Sequence, residues 1–264
     1  MKHSTPEFAA IAERGTVLRC QVGSEVHGIA VPGHGDRDEI GMCIEPPEYV
    51  IGLRSFEQYL YRTQPEGSRS GPGDLDVTVY SLRKWTRLAL AGNPTVLIPL
   101  FVPDTAIVRI TDVGRELRAH ADRFVSRTAG RRFLGYLRDQ RDRLLGRRGG
   151  RHTNRPELVD RYGFDVKFAA HLVRLGIQGV ELLETGRLTL PMREPWRTWL
   201  RDLRQGRHSR DEVLDVAADY EQRLVDLIAR SDLPDQADHA WADAWLVRVY
   251  RETWRSWEQQ GASR

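Results

Sequence analysis

Residues 16–47, TVLRCQVGSEVHGIAVPGHGDRDEIGMCIEPP, decide how this chain reads. The run Thr16–Val22 is apolar, carries β-branched residues and has strand length. Gly23-Ser24 then closes it as a turn. After eleven intervening residues stand Asp36-Arg37-Asp38, at the head of a second strand expected over about Asp38–Ile44 and stopped by Pro46-Pro47. Side chains two apart on a strand share a face, so Asp36 and Asp38 aim at one place. Two carboxylates held together repel unless a cation lies between them. Mg²⁺, which takes a few carboxylates together with phosphate oxygens and water, is the natural partner. Gly23 lets the backbone approach a phosphate, and Ser24 offers its N–H and hydroxyl to it. His27 and His34 flank the motif and read as polar loop residues rather than metal ligands.

The pattern continues outward from this stretch. Tyr49–Leu53 reads as a further short strand, and residues 63–73, TQPEGSRSGPG, read as a flexible loop. Leu75, Val77 and Val79 then alternate with Asp74, Asp76, Thr78 and Tyr80, as on a half-buried strand. Asp74 and Asp76 fall on one face of it, so either can supply a third carboxylate. Ser81 is placed to cap a helix over Leu82–Ala91 that Gly92 ends. This helix carries Arg83, which reads as solvated, and Lys84, a candidate to neutralise phosphate charge. Asn93 in the following Asn-Pro reads as a cap.

From Asp112 onward strand signals vanish and helical periodicity takes over. The spacing predicts helices over Gly114–His120, Gly130–Leu145, Phe164–Glu184, Arg193–Leu203, Asp211–Arg230 and Ala237–Glu258. In the last of these Trp241, Trp245, Val249 and Trp257 form an apolar stripe expected in the core. In the helix over Phe164–Glu184, Lys167, His171, Arg174 and Gln178 share one face, a cationic stripe suited to a triphosphate. Arg127–Arg155 holds ten arginines against two aspartates, the composition of a phosphate-backbone patch, and Gly146–Asn154 is expected to be mobile without nucleic acid. The expected architecture is therefore α+β. A small mixed sheet with helices occupies 1–110, a helical domain occupies 111–264, and a cleft lies between them.

Composition bounds the rest. The chain has 264 residues, 29% of them charged, and a net charge of +3, which is weak evidence for nucleic-acid binding on its own. Three of the forty cations are lysines, and this makes Lys84 and Lys167 conspicuous. Two cysteines without a Cys-x-x-Cys argue against a structural zinc site or a disulfide scaffold. No apolar run approaches a membrane span and no signal peptide is read, so the expected location is cytoplasmic.

These motifs together resemble the DNA-polymerase-β-like nucleotidyltransferase superfamily, and within it the RNA-repair-pathway family. The resemblance rests on the Gly-Ser turn, the Asp-x-Asp strand, DLDVTVYSLRKW at 74–85, LALAGNP at 88–94, FLGY at 133–136, DVKFAAHLVRL at 165–175, GVELLETG at 179–186 and SDLPDQAD at 231–238. It departs from the family's pattern at Glu25, His27 and Gly33-His34-Gly35, in a loop expected near the substrate. The resemblance implies a polymerase-β-like palm followed by an α-helical C-terminal domain. It implies Mg²⁺ at Asp36, Asp38 and Asp76, with Asp76 preferred over Asp74 as the third carboxylate. Gly23, Ser24, Lys84, Lys167, His171 and Arg174 are the residues expected on the nucleotide. The activity implied is transfer of a nucleoside monophosphate from a nucleoside triphosphate to a hydroxyl, such as the 3′ end of a tRNA or other RNA, with release of pyrophosphate. Two rivals are a non-catalytic nucleic-acid-binding module on a transferase fold and a toxin-like transferase acting on tRNA or a protein.

Overall fold

A computed structural model describes residues 3–33, 35–65, 67–147 and 155–262. Helix α1 (Pro6–Gly15) starts where the Thr5 hydroxyl accepts the Phe8 amide at 3.2 Å, with proline in its first turn. It runs straight into β1 (Thr16–Val22), and a single helical turn, α2 (Gly23–Val26), follows. Then come β2 (Arg37–Cys43), β3 (Gln58–Arg62) and β4 (Leu75–Ser81). Ser81 caps α3 (Leu82–Leu90), and Asn93 caps the short α4 (Pro94–Leu97). Strand β5 (Ile107–Ile110) completes a five-stranded mixed sheet of order β3-β4-β2-β1-β5. The β2–β4 pair is parallel and the other pairs are antiparallel.

Alternation along these strands divides the sheet's contacts between two faces. Val77, Val79 and Cys43 pack with Ile11, Ala12 and Phe56 beneath α1. Leu18, Cys20 and Met42 face the other way, into a core shared with Leu82, Trp85 and Leu97. In the register, Val22 stands opposite Asp38, and Asp38 opposite Asp76. Asp38 and Asp76 therefore lie on the main-core face, at the same end of the sheet as the turn that follows β1.

The remainder is helical: α5 (Asp112–Ala119), α6 (Arg127–Leu144), α7 (Pro156–Tyr162), α8 (Val166–Thr185), α9 (Trp196–Arg204), α10 (Arg210–Arg230) and α11 (His239–Ala262). Helix α8 is the hub. Its first turn is capped by Asp165, which accepts the Lys167 and Phe168 amides at 3.0 and 3.1 Å, and Gly186 ends it in the left-handed conformation. Gly179 lets α6 come close, since a Cβ there would stand 2.8 Å from that of Phe133. Helix α11 folds back onto the sheet-bearing part, where the Tyr250 hydroxyl donates to Glu45 Oε2 at 2.6 Å and Trp254 Nε1 to the Glu45 carbonyl at 2.9 Å. Trp245 and Val249 are buried as expected, and one continuous apolar core runs through both parts.

Several elements depart from the sequence reading. Residues 49–53 form no strand; a 3₁₀ turn over Pro47–Tyr49 leads into an exposed loop, and the amides of Tyr49, Val50 and Ile51 bond back to the Pro46 and Pro47 carbonyls instead of to a ladder. The short strands β3 and β5 sit at the two sheet edges and carry too few residues for alternation to stand out. Helices α1 and α7 lie outside the spans that periodicity predicts, although Thr5-Pro6 marks the start of α1. Among the described residues no helix is long and apolar enough to cross a membrane.

Candidate active site

The site forms where four chain segments meet. Strand β1 ends in Gly23, whose φ of +78° is open to glycine. A Cβ at Gly23 would lie 2.6 Å from Asp38 Oδ2, so the turn packs directly on the carboxylate. Asp36 precedes β2, Asp38 lies within it, and Asp76 lies beside it on β4. One oxygen from each falls within 4.8 Å of the others. All three are partly open to solvent. The structure thus brings Asp76 to the cluster and leaves Asp74 outside, as a brace of the β3–β4 loop. Asp74 accepts the Gly71 amide at 2.8 Å and the Thr63 hydroxyl at 2.9 Å.

The surroundings of Asp38 and Asp76 differ. Asp38 is pushed up to about 6, first by burial, then by the like charges of Asp36 and Asp76, with Lys167 pulling weakly the other way. Asp76 also pays for burial but is held below its ordinary range, because Ser70, Arg62 and Gln64 donate to it. Arg62 Nε reaches Asp76 Oδ1 at 2.9 Å and Gln64 Nε2 reaches it at 3.1 Å. Loop 63–73, read as flexible, thus contributes two of the donors that fix Asp76.

Facing the carboxylates across a cleft of about 210 Å³ is the polar stripe of α8. Lys167, His171 and Arg174 line it as the helical spacing predicted, and Gly23 and Ser24 line the opposite wall. Arg174 anchors a network. Its Nη1 donates to His27 Nε2 at 2.8 Å and to Gln178 Oε1 at 2.9 Å, and its Nη2 donates to His171 Nδ1 at 2.7 Å. Because arginine has only donors, both imidazoles must accept with these nitrogens and are neutral. Burial and then the Arg174 charge hold His171 down to about 3, and they hold His27 well below its ordinary value. Burial, helped by Arg204, lowers Arg174 to about 10, which leaves it a cation at neutral pH. Lys167 is lowered by burial and by Arg155, with Asp36 opposing. No carboxylate among the described residues pairs with Arg174, which lines the cleft as a cation.

His27 is a buried member of this network rather than the polar loop residue expected from its position. Two further cations do not stand out individually in the sequence, although Arg155 closes the arginine-rich stretch 127–155. Arg204, at the end of α9, lines the cleft and clips it to the Gly-Ser loop, its Nη1 donating to the Ile29 carbonyl at 2.6 Å. Arg155 lines the cleft from its other rim, 3.5 Å from Asp165. The general excess of arginine concealed both.

Lys84 is not brought to the site. Its Nζ donates to Gln58 Oε1 at 2.9 Å and lies 3.5 Å from Glu57. Gln58 pairs with Tyr80, at the end of β4 away from Asp76. The arginines of α6 are largely engaged as well. Arg138 and Arg141 pair with Glu221, and Arg127 and Arg131 pair with Asp235. His34 and the segment 148–154, which includes most of the stretch expected to be mobile, lie outside the described residues. Larger hollows lie elsewhere, among them one on the α1 side of the sheet and one between α3 and α11. The carboxylate cleft is distinguished by its charge, not its size.

The donor set fits a divalent cation: three converging carboxylate oxygens, one of them on a carboxyl that burial and its acidic neighbours make reluctant to ionise. It equally fits a polyanion held between that cation and the α8 cations.

Comparison with known proteins places the chain in a family. The family model described as RlaP, RNA repair pathway DNA polymerase beta family, matches residues 2–248. An uncharacterized 38.9 kDa protein from the nrdC-mobD intergenic region of Enterobacteria phage T4 is 27% identical over 127 residues, 47% of this chain. That match spans 37% of the phage protein's length. Among solved structures, a nucleotidyltransferase-like protein from Exiguobacterium sibiricum aligns over 92% of this chain and 77% of its own, with 10% identity and a TM-score of 0.30.

Proposed function

The chain belongs to the RNA repair pathway DNA polymerase beta family, and from that premise we propose that it is a divalent-metal-dependent transferase moving a nucleoside monophosphate from a nucleoside triphosphate to a hydroxyl, with pyrophosphate as the leaving group. The observation that carries this reading is the convergence of Asp36, Asp38 and Asp76 opposite a stripe of cations.

Asp36 and Asp38 would hold Mg²⁺, with Asp76 beside them. When bound, the metal supplies neutralisation of triphosphate charge and a lower barrier to ionising the attacking hydroxyl. The chain's own groups do the rest. Lys167 and Arg174 bind the triphosphate and meet the negative charge that grows on the departing pyrophosphate. Neutral His171 adds a hydrogen bond without competing for the proton. Ser24 donates to a phosphate oxygen, and Gly23 keeps the backbone close enough for its neighbour's N–H to do so. Asp76, locked by Arg62 and Gln64, orients the acceptor hydroxyl and accepts its proton. Lys84 takes no part.

For the acceptor we favour an RNA 3′ end, a reading supported by the family's description and by the cleft cations Arg155 and Arg204. The intact carboxylate set speaks against a module that merely binds nucleic acid. The test is incubation with each labelled nucleoside triphosphate, Mg²⁺ and total RNA, alongside the Asp38→Asn variant. Label should appear in RNA with the wild type and not with the variant. Label recovered in protein would replace the RNA acceptor with a protein one, and no transfer of any nucleotide would end the reading.

A further inference from the structure

Far from the carboxylates, α3 and α11 enclose a groove of about 510 Å³. Leu90, Ala242, Leu246, Tyr250 and Trp254 line it. Ile51, on its rim, is 78% exposed, and Leu53 beyond it is fully exposed. Val247, on the solvent side of α11, is 45% exposed. An apolar protrusion beside an apolar groove is a costly surface to leave in water.

The charges on this face carry a pattern of their own. Asp243 and Arg251 lie on the same groove, each four residues from Val247, one toward each end of the helix. Residues spaced by four share a helix face, so the three form one exposed row. Neither charge pairs with another described residue, whereas Arg87 on the opposite wall lies 3.7 Å from Glu57. A negative charge, an apolar centre and a positive charge in a row are complementary to the same row reversed.

We infer that this face binds a second copy of the chain, α11 crossing α11 antiparallel about a two-fold axis at Val247. That symmetry sets Asp243 of each copy opposite Arg251 of the other, with the two Val247 side chains between them. It also brings the exposed Ile51 on each groove's rim toward the other copy. A parallel crossing would oppose like charges and is disfavoured.

Sedimentation of the full chain across the micromolar range tests the pairing. The wild type should sediment as a dimer, and Val247→Asp as a monomer with the native circular dichroism spectrum, since the position is exposed. Asp243→Arg and Arg251→Asp should each weaken the dimer roughly tenfold or more, by placing like charges together. The double variant Asp243→Arg/Arg251→Asp should recover wild-type association, a result that damage to folding cannot produce. A wild-type chain that remains monomeric overturns the inference, as does a dimer indifferent to Val247→Asp or a double variant no better than the singles.

Discussion

Asp38 and Asp76 stand opposite one another across the parallel β2–β4 pair, yet their surroundings draw their carboxyls in opposite directions. Asp38 faces burial and two like charges, while Asp76 is gripped by donors from β3 and the loop that follows it. The pair is adjacent in space and unequal in its readiness to give up a proton.

That inequality has a signature in stability. In the native state Asp38 keeps its proton up to about pH 6, against 3.8 ordinarily. Its contribution to stability is therefore fully present below 3.8 and is lost as pH rises through about 6. Asp38→Asn stays neutral throughout. Without metal it should match the wild type in acid and exceed it by about 1 kcal/mol near neutrality, after discounting for solvent screening. Chemical denaturation at a series of pH values in the presence of a chelator measures this, and equal midpoints at neutral pH would refute it.

Mg²⁺ with a nucleoside triphosphate should raise the wild-type melting temperature, because a ligand of the native state stabilises by mass action. Asp36→Asn and Asp38→Asn should lose most of that rise and at least ~10²-fold of the transfer rate, the scale on which charge stabilisation at a reacting centre acts. Thermal shift and a labelled-nucleotide assay, run on the same preparations, read both effects.

Lys167 and Arg174 should separate under alanine substitution. Lys167 makes no ion pair with a described residue, and Lys167→Ala should cost less than about 0.5 kcal/mol of stability. Arg174→Ala strips donors from His27, His171 and Gln178 at once, and should cost about 2 kcal/mol. Both should weaken nucleotide binding. Calorimetric titration together with urea denaturation distinguishes the two, and equal stabilities would show that the network does not hold the fold.

Gly23→Ala forces a side chain into a left-handed backbone and against the Asp38 carboxylate. A loss of about 1–2 kcal/mol is expected, along with weaker metal binding as Asp38 shifts. Titration with Mn²⁺, followed by the broadening of nearby proton resonances, reports the second effect without an activity assay.

Lys84→Ala should leave transfer unchanged, since its partners Gln58 and Glu57 lie at the other end of β4. A large loss of rate with normal stability would return Lys84 to the site.

The parts of this molecule that were legible in the sequence share a physical cause. Strong periodicity exposed β1, β2, β4 and the long helices, and one-face spacing placed Lys167, His171 and Arg174 together before any fold was known. Alternation left Asp74 and Asp76 equivalent. It took the register of β4 against β2, and the loop that captures Asp74, to separate them. Arg204 and Arg155 were hidden because a cation carries little information in a chain with so many arginines. Lys84 misled for the opposite reason, since its rarity drew attention to a residue whose neighbours are set by strand pairing rather than by nearness in sequence. His27 looked like a loop residue because nothing local reveals that α8 closes over it.

The clip from Arg204 to the Ile29 carbonyl also governs when the cleft can exist during synthesis. A growing chain that has released its sheet displays Asp36, Asp38 and Asp76 before the wall opposite them has been made. The turn bearing Ser24 meets Lys167 only after α8 has left the ribosome, and the clip closes later still, with the end of α9. Nascent chains should thus carry an acidic, solvent-open sheet end that holds metal weakly and acts on nothing, so that the order of translation itself keeps an unfinished copy silent.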